Sequence, residues 1–478
     1  MSKTQAEKEA FLRSTDRKVI LIELQYHDGT SSQTEYFANA TFWSRPGDAI
    51  SNQTYDDAII QLPRITERID DDASFGSLTI FNHSDYSDWL SYSFDGWPIK
   101  ILIGSADWSR DDFFEIFNGI TGGIGAPSSD RLAIRFFDKR EKLRVDFQRD
   151  NFYDDGTPYP VCIGPVFNGT ARMIDKATYK FRYHENGNLT VANVRDHGVD
   201  LGSAFTDNGD GTFTLSSAPV DSNGANITFD VTTGETDGTI DKILEFLVLR
   251  SDLTASDIDS VSLSAFSSSA ILARYVDQRT SIQSLIREAE RSVNARARFN
   301  LEGKLELVKR FEIPSSQVLD FDEDDMINRG LRLRRSIKPL PLVRFSYARN
   351  ETVQNPGDLA GAVSDSDREI YTSPYQVVST SNAGVSTVFP ETEPELLVET
   401  WHTQEAEAQS ECDHLAAFYS EKRSEFVGEF IASPFLLSVG DGASLEIDKL
   451  GFGAGKDIVI TGKRLRLDSR RTELEFIV

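Results

Sequence analysis

Hydrophobic and polar residues alternate in short runs over the first 150 positions. Ile20, Ile22, Leu24 and Tyr26 fall on one face of a strand spanning 19–26. Leu78 with Ile80, then Ile99, Ile101 and Ile103, then Leu132, Ile134 and Phe136 repeat the period of two. Asp28-Gly29 is a turn signal. Short strands at irregular spacing, broken by Gly, Asp and Ser, predict an antiparallel barrel or sandwich rather than a parallel α/β sheet. Ahead of them, 4–13 reads as a short helix, exposed except at Ala10, Phe11 and Leu12.

The pattern then changes four times. Residues 151–165 carry Pro158, Pro160 and Pro165 with Gly156 and Gly164, which makes a connector. Residues 166–238 read as a small β-sandwich insert. Its hairpin signals are Asn186-Gly187, between runs at 179–183 and 189–194, and Asp207-Asn208-Gly209-Asp210-Gly211 before Phe213 and Leu215. Residues 239–315 form a small α+β domain. Asp237 or Thr239 caps a helix bearing Ile240, Ile243, Leu244 and Leu247. Thr280-Ser281-Ile282-Gln283 has capping-box form ahead of Ile282, Leu285, Ile286, Ala289 and Val293, and a hairpin turning at Glu302-Gly303 follows. Residues 316–478 return to β structure. They include a strand at Leu342–Tyr347 and a polar loop over 350–367. One long helix over 404–422 puts Ala408, Cys412, Leu415, Ala416 and Tyr419 on a stripe. Two last strands are joined by a Ser469-Arg470-Arg471 turn. The predicted class is α+β and β-rich.

Composition narrows the function. Fifty Lys and Arg against 76 Asp and Glu leave a formal charge of −26. That opposes a protein that grips phosphate backbones and suits one that nucleic acid passes without sticking. The excess is spread over three of the four folded segments, where it favours solubility. No run of about 18 apolar residues exists, so no transmembrane helix is expected. The first residues lack an apolar h-region, so no signal peptide is expected and synthesis belongs in the cytoplasm. Cys162 and Cys412 are the two cysteines, which excludes a disulfide scaffold and a CxxC metal site. Both read as buried small hydrophobes.

No motif supplies a catalytic constellation, and no metal or cofactor is expected. Gly451-Phe452-Gly453-Ala454-Gly455-Lys456 is one residue short of a phosphate loop and is followed by Asp457, so it reads as a turn. The 207–211 run lacks a side-chain ligand at Gly209 and reads as a hairpin turn rather than a calcium loop. The six histidines form no metal-ligand pair, and no GxSxG elbow occurs. The densest acidic run is Asp320, Asp322, Glu323, Asp324 and Asp325, followed by Arg329, Arg332, Arg334 and Arg335. Three readings stay open for it: a solvated face, a complementary seam across a subunit boundary, or a pair of catalytic carboxylates.

Three stretches carry a resemblance. Residues 156–168, Gly-Thr-Pro-Tyr-Pro-Val-Cys-Ile-Gly-Pro-Val-Phe-Asn, resemble a PLPVCYGxVFN-type segment in tail proteins of long-tailed bacteriophages. Val194-Arg195-Asp196-His197-Gly198-Val199 is similar to the VRDNGV that follows it there. Ala348-Arg349-Asn350, Thr352-Val353-Gln354 and Leu359-Ala360-Gly361-Ala362-Val363 are similar to ARNxTVQxxxLAGAV. The chain thus resembles the tail (baseplate) hub of such phages and of gene-transfer agents, over most of 150–478.

The resemblance implies a trimeric ring at the tail tip with two tube-like antiparallel β domains per chain. Here those are 1–150 and 316–478. The partners it implies are the distal tail protein, the tape-measure C-terminus and tail fibre or receptor-binding proteins, with DNA passing through the channel. An iron–sulfur cluster of some relatives does not carry over, since its cysteines are absent. Two other readings remain. A carbohydrate-binding β-sandwich adhesin would use platforms drawn from Trp43, Trp89, Trp97, Trp108 and Trp401. A tail-associated peptidoglycan hydrolase would use acids such as Asp322 and Asp324.

Overall fold

The structure is a computed structural model. It describes the chain except residues 1–2, 5–6, 8–9, 12–13, 15, 70–73, 83–85, 87, 267–269, 311, 313–316, 328–329, 432–436 and 468–470. Strands dominate, as the alternating pattern predicts, with a few helices among them. The chain divides into two compact units, each discontinuous in sequence. The first comprises 1–141, 298–337 and 422–478, and the second comprises 142–297 and 338–421.

The first unit holds two large sheets. One is seven-stranded and antiparallel, in the order Ser32–Ala38, Val19–His27, Pro98–Gly104, Phe114–Ser128, Arg131–Phe137, Ser77–Phe81 and Ile59–Gln61. Ile20, Ile22, Leu24, Ile99, Ile101, Ile103, Leu132, Ile134 and Phe136 all bury into one core, so the period-of-two pattern sets its inner face. Asp28 makes the expected turn by accepting from the Thr30 and Ser31 amides. Of the helix expected over 4–13, Glu7, Ala10 and Phe11 are helical, and most other positions, Leu12 included, lie outside the described residues.

The second sheet runs Gln317–Phe321, Gly442–Leu445, Lys456–Arg466, Arg471–Ile477, Arg423–Ile431 and Arg332–Ile337. A strand from the N-terminal part, Arg64–Arg68, joins it by pairing antiparallel with Lys456–Arg466, Ile65 opposite Leu465 and Glu67 opposite Lys463. Ile65, Leu465 and Leu467 then bury in the core of the first sheet. Charges fix the same strand. Arg68 donates to Glu475 at 2.7 Å, and Glu475 is almost fully buried. Glu67 lies 3.7 Å from the fully buried Lys463 ammonium and 3.8 Å from Arg298. Lys463 also donates to the Leu437 carbonyl at 2.7 Å, and burial drives its pKa down. The expected turn at 469–471 lies mostly outside the described residues, and its flanking strands pair antiparallel as expected.

The second unit contains the sandwich. Val166–Thr170, Ile227–Val231, Val191–Asp196 and Val199–Asp200 form one sheet, and Arg172–Asp175, Lys180–Arg182, Thr212–Leu215 and Phe205–Asp207 form the other. Phe181, Tyr183, Phe213 and Phe229 fill the space between. The 207–211 run is the hairpin turn expected of it, with Gly209 and Gly211 at positive φ. Asn186-Gly187 differs from expectation. The strands on its two sides belong to different sheets, so it crosses the sandwich instead of closing a hairpin.

The helix Ile240–Leu249 buries Ile240, Ile243, Leu244 and Leu247 as predicted. The next helix, Ile282–Ser292, starts one residue later than a Thr280 cap requires: Ser281 is the cap and accepts from the Ser284 amide. Residues 338–421 fall in this unit because Leu342–Tyr347 pairs with Gln376–Ser381 and Leu396–Val398. The long helix is Glu405–Phe418, and its Ala408–Cys412–Leu415–Ala416 stripe is buried against those strands. A helix over Asp365–Thr372, capped by Ser364, begins within the stretch expected to be loop.

Replacing Glu475 by Gln leaves Arg68 and Arg334 facing one another without their shared carboxylate. We expect a loss of about 1–3 kcal/mol in the stability of the first unit. Urea denaturation read with amide exchange of 64–68 and 456–466 measures it, and unchanged protection of those strands would show that the charge does not hold them.

Candidate functional site

The acidic run folds into a local turn. Asp322 accepts from the Asp324 and Asp325 amides and the Asp325 carboxylate accepts from the Asp322 amide, which makes a closed capping box around the single 3₁₀ turn Glu323–Asp325. Asp320 accepts from the Ser444 hydroxyl at 2.7 Å, and Glu323 accepts from the Asp448 amide at 3.1 Å. Asp322 and Asp324 are exposed. A glycosidic general acid needs an apolar pocket to hold its proton, and this turn gives neither carboxylate one.

The basic run lies on Arg332–Ile337, where five successive residues are exposed. Arg329 lies outside the described residues. Arg334 reaches Glu425 at 3.0 Å and also Glu475, Arg335 reaches Glu425, and Arg332 lies 3.9 Å from Glu473. The sheet curls so that acid turn and arginine strand both meet Arg423–Ile431: Met326, next after Asp325, bridges Phe430, and Arg332 lies opposite Val427 on the same strand.

The second unit brings together the three stretches singled out in sequence. Asn168, buried and at φ +54°, donates its amide to Asp230 at 2.9 Å and its side chain to Asn350 Oδ1 at 2.8 Å. Asn350 in turn donates to the carbonyls of Tyr371 and Ser373 and accepts from the Thr352 amide. Asp230 also takes two guanidinium bonds from Arg195, one of them 2.7 Å. The Ala360 amide donates to the His197 carbonyl at 3.0 Å. Gly198, at φ +79°, lies so close to Leu359, Val363 and Tyr371 that a Cβ there would meet Leu359 at 2.8 Å. Asn, Arg, Gly and Asn at these positions are therefore cross-links between segments far apart in sequence. Each is visible in the sequence, but their convergence is not.

An open cavity of about 800 Å³ adjoins this junction. Its lining includes Phe167, Arg349, Glu351, Trp401 and His402. Glu351 holds Arg274 at 2.7 Å and Arg349 at 3.1 Å, and burial raises its pKa. His402 donates Nε2–H to the Ser292 carbonyl at 2.7 Å, and burial lowers its pKa.

Two other histidines were missed as structural centres. His184 accepts from the Cys162 amide at Nδ1 and bonds Glu235 at 2.7 Å through Nε2, which lowers the Glu235 pKa. Cysteine, histidine and glutamate thus meet, but not as a nucleophile and its base. His184 holds the Cys162 backbone, whereas the buried thiol faces the Tyr183 carbonyl and burial drives its pKa up. His197 is held between Asp196 and Asp221, 2.5 and 3.2 Å away. Among the described residues no group of three potential ligands is arranged for a metal, and no helix is long and apolar enough to cross a membrane. Of the five tryptophans, Trp43 is exposed, Trp97 is half-buried, and Trp89, Trp108 and Trp401 are buried.

No protein-family model matches the sequence, and no curated protein matches it. Solved structures similar to the chain include tail and baseplate proteins. One is the tail protein from Neisseria meningitidis MC58, at 11% identity and TM-score 0.44, covering 97% of each chain. A second is the 43 kDa tail protein of prophage MuSo2 from Shewanella oneidensis, at 8% and 0.40, covering 97% of this chain and 98% of that one. A third is prophage tail protein gp18 from Listeria monocytogenes EGD-e, at 8% and 0.40, covering 95% and 94%.

Two outcomes follow from the junction and cavity. Asn350→Ala takes the side-chain donor from the Ser373 carbonyl and the acceptor from the Thr352 amide, and removes one of two bonds from the Asn168 side chain, so it should cost about 2–3 kcal/mol, read as an earlier urea transition of the second unit. A buried His402 binds its proton less readily folded than unfolded. Its contribution is therefore complete above pH 6.5, the ordinary histidine value, and is lost as pH falls below it. His402→Gln should flatten stability between pH 6.5 and pH 5, and parallel curves for variant and wild type would refute this.

Proposed function

We propose that the chain is a tail-tip hub: a virion structural protein, not an enzyme, that builds a trimeric ring. On this reading the ring joins the distal tail protein and tail tube to the tip. It receives the tape-measure C-terminus, carries fibre or receptor-binding proteins, and surrounds the channel that DNA crosses. Residues 1–150 and, within 316–478, the strands that lie in the first unit supply the two tube-like domains, and the 166–238 insert and 239–315 face partners at the periphery or tip.

One observation carries the reading. The three stretches with the hub-like sequence pattern, around Asn168, Arg195 and Asn350, bond to one another in a single junction. Residues scattered over almost 200 positions thus make up one structural unit instead of three chance matches. The reading agrees in class with the tail and baseplate proteins named above, but rests on these residues rather than on that likeness. The acidic surface supports it too, because modest repulsion lets a polyanion slide where attraction would hold it.

The test is the mass of the purified chain by light scattering, with negative-stain images of the same peak, alone and with the distal tail protein. The expected result is a three-chain ring with a central hole and no retention of duplex DNA at physiological salt. A particle that stays monomeric even with that partner, or that binds DNA tightly, would overturn the hub.

A further inference from the structure

The sequence contains five Asn-Gly pairs, beginning at 118, 168, 186, 208 and 223. In such a pair the glycine nitrogen can attack the asparagine side-chain carbonyl and close a five-membered ring. No Cβ shields that nitrogen, and glycine reaches backbone conformations that other residues rarely adopt. All five pairs share this local chemistry, so the fold decides among them. Gly119 and Gly169 are buried in paired strands, opposite Ile99 and Phe229. The Gly209 amide donates to Asp207 at 3.0 Å, and the Gly224 amide donates to the Asp221 carbonyl at 2.7 Å.

Asn186-Gly187 is the exception. It lies in the link that crosses the sandwich, outside any strand, and Gly187 is exposed. The Gly187 amide has no hydrogen-bond partner among the described residues. A Cβ on Gly187 would meet the Gly209 carbonyl oxygen at 2.1 Å, so packing itself requires glycine there. Two bonds hold the Asn186 side chain. Its Oδ1 accepts from the Asn188 amide at 3.0 Å, which draws electrons from Cγ, and its Nδ2 donates to Glu235 at 2.8 Å. Glu235 in turn bonds His184 at 2.7 Å, and His184 Nδ1 accepts from the Cys162 amide at 3.2 Å.

We propose that Asn186 is a site of self-modification in the folded chain. The Gly187 nitrogen bonds to Asn186 Cγ, the Cγ–Nδ2 bond breaks, and Nδ2 leaves as ammonia with the proton from Gly187. Water then opens the succinimide to aspartate or isoaspartate, its hydroxyl going to a carbonyl carbon and its hydrogen to the ring nitrogen. The step takes up one water and releases one ammonia, with no oxidant or metal. Its product puts a carboxylate against Glu235 where an amide donor stood, and the isoaspartate form lengthens the link by one methylene. Both changes loosen the hold of Glu235 and His184 on Cys162, so the insert ages at one defined place. This does not depend on the hub reading.

Incubating the full, folded chain in heavy-oxygen water tests it. Digestion afterwards in ordinary water ensures that conversion during digestion carries no label. Peptide mass spectrometry should find heavy oxygen at 186 at least about fivefold sooner than at 118, 168, 208 or 223, the factor that first breaking one backbone hydrogen bond imposes. In urea every glycine amide is free, so the five sites should label at similar rates. Labelling of another pair ahead of 186 in the folded chain, or the same ranking in urea as in buffer, would overturn the proposal. Asn186→Asp reproduces one product directly. It should speed exchange of the Cys162 amide about fivefold, and unchanged exchange would refute the loosening.

Discussion

The pairing of Arg64–Arg68 with Lys456–Arg466 joins strands almost 400 residues apart and sets what the rest of the first unit can do. It works because the short strand is chemically two-sided. Ile65 and Glu67 point one way and Arg68 the other. Ile65 meets Leu465, so C-terminal residues complete a core made mainly by the N-terminal sheet. Glu67 meets Lys463, whose ammonium has no water to turn to and depends on that carboxylate and the Leu437 carbonyl. Arg68 meets Glu475. An ion pair so buried contributes little net attraction compared with apolar residues of the same shape, but a shifted register would leave a charge alone in the interior. The charges therefore choose the register, and the burial of Ile65 and Leu465 supplies the stability.

The strongly acidic composition has in part a local origin. Asp28, Asp48, Asp155, Asp175, Asp207, Asp210, Asp237 and Asp322 each accept backbone amides in turns. A fold of many short strands needs many tight turns, and aspartate is among the few side chains that satisfy their free amides. The Ser31 and Thr30 amides hold Asp28 below the usual carboxylate range, so its charge persists in mildly acid solution. Net charge is thus partly a by-product of the architecture. The more telling signal is where charge departs from the average, on the arginine-covered face.

Legibility in the sequence followed the range of the interaction. Alternation at Ile20, Ile22 and Leu24, and the Ala408, Cys412, Leu415 and Ala416 stripe, report burial of one face, which neighbouring residues decide, and these were readable. Asn186-Gly187 misled because a hairpin dipeptide also suits any tight reversal, and only the strands it joins show that it crosses the sandwich. The 64–68 strand was unreadable for a different reason. Its sequence, Arg-Ile-Thr-Glu-Arg, is polar on its own and becomes a strand through partners near the other end of the chain. The junction lies between these cases. Asn168, Arg195, Gly198 and Asn350 each stood out, but buried asparagines bonding to each other look like ordinary loop residues until the loops are brought together.

Junction and charged sheet use polar groups in opposite ways. At the junction Asn168, Arg195, Asp230 and Asn350 bond to one another and to nearby backbone inside the unit, so their chemistry goes into holding 166–170, 193–199 and 348–373 together. That is the behaviour of a scaffold. On the sheet the glutamates are likewise paired, but the arginines above them keep much of their surface exposed. Solubility alone would mix the two signs along each edge. Gathering exposed arginines over buried glutamates instead sets one positive face on an acidic chain.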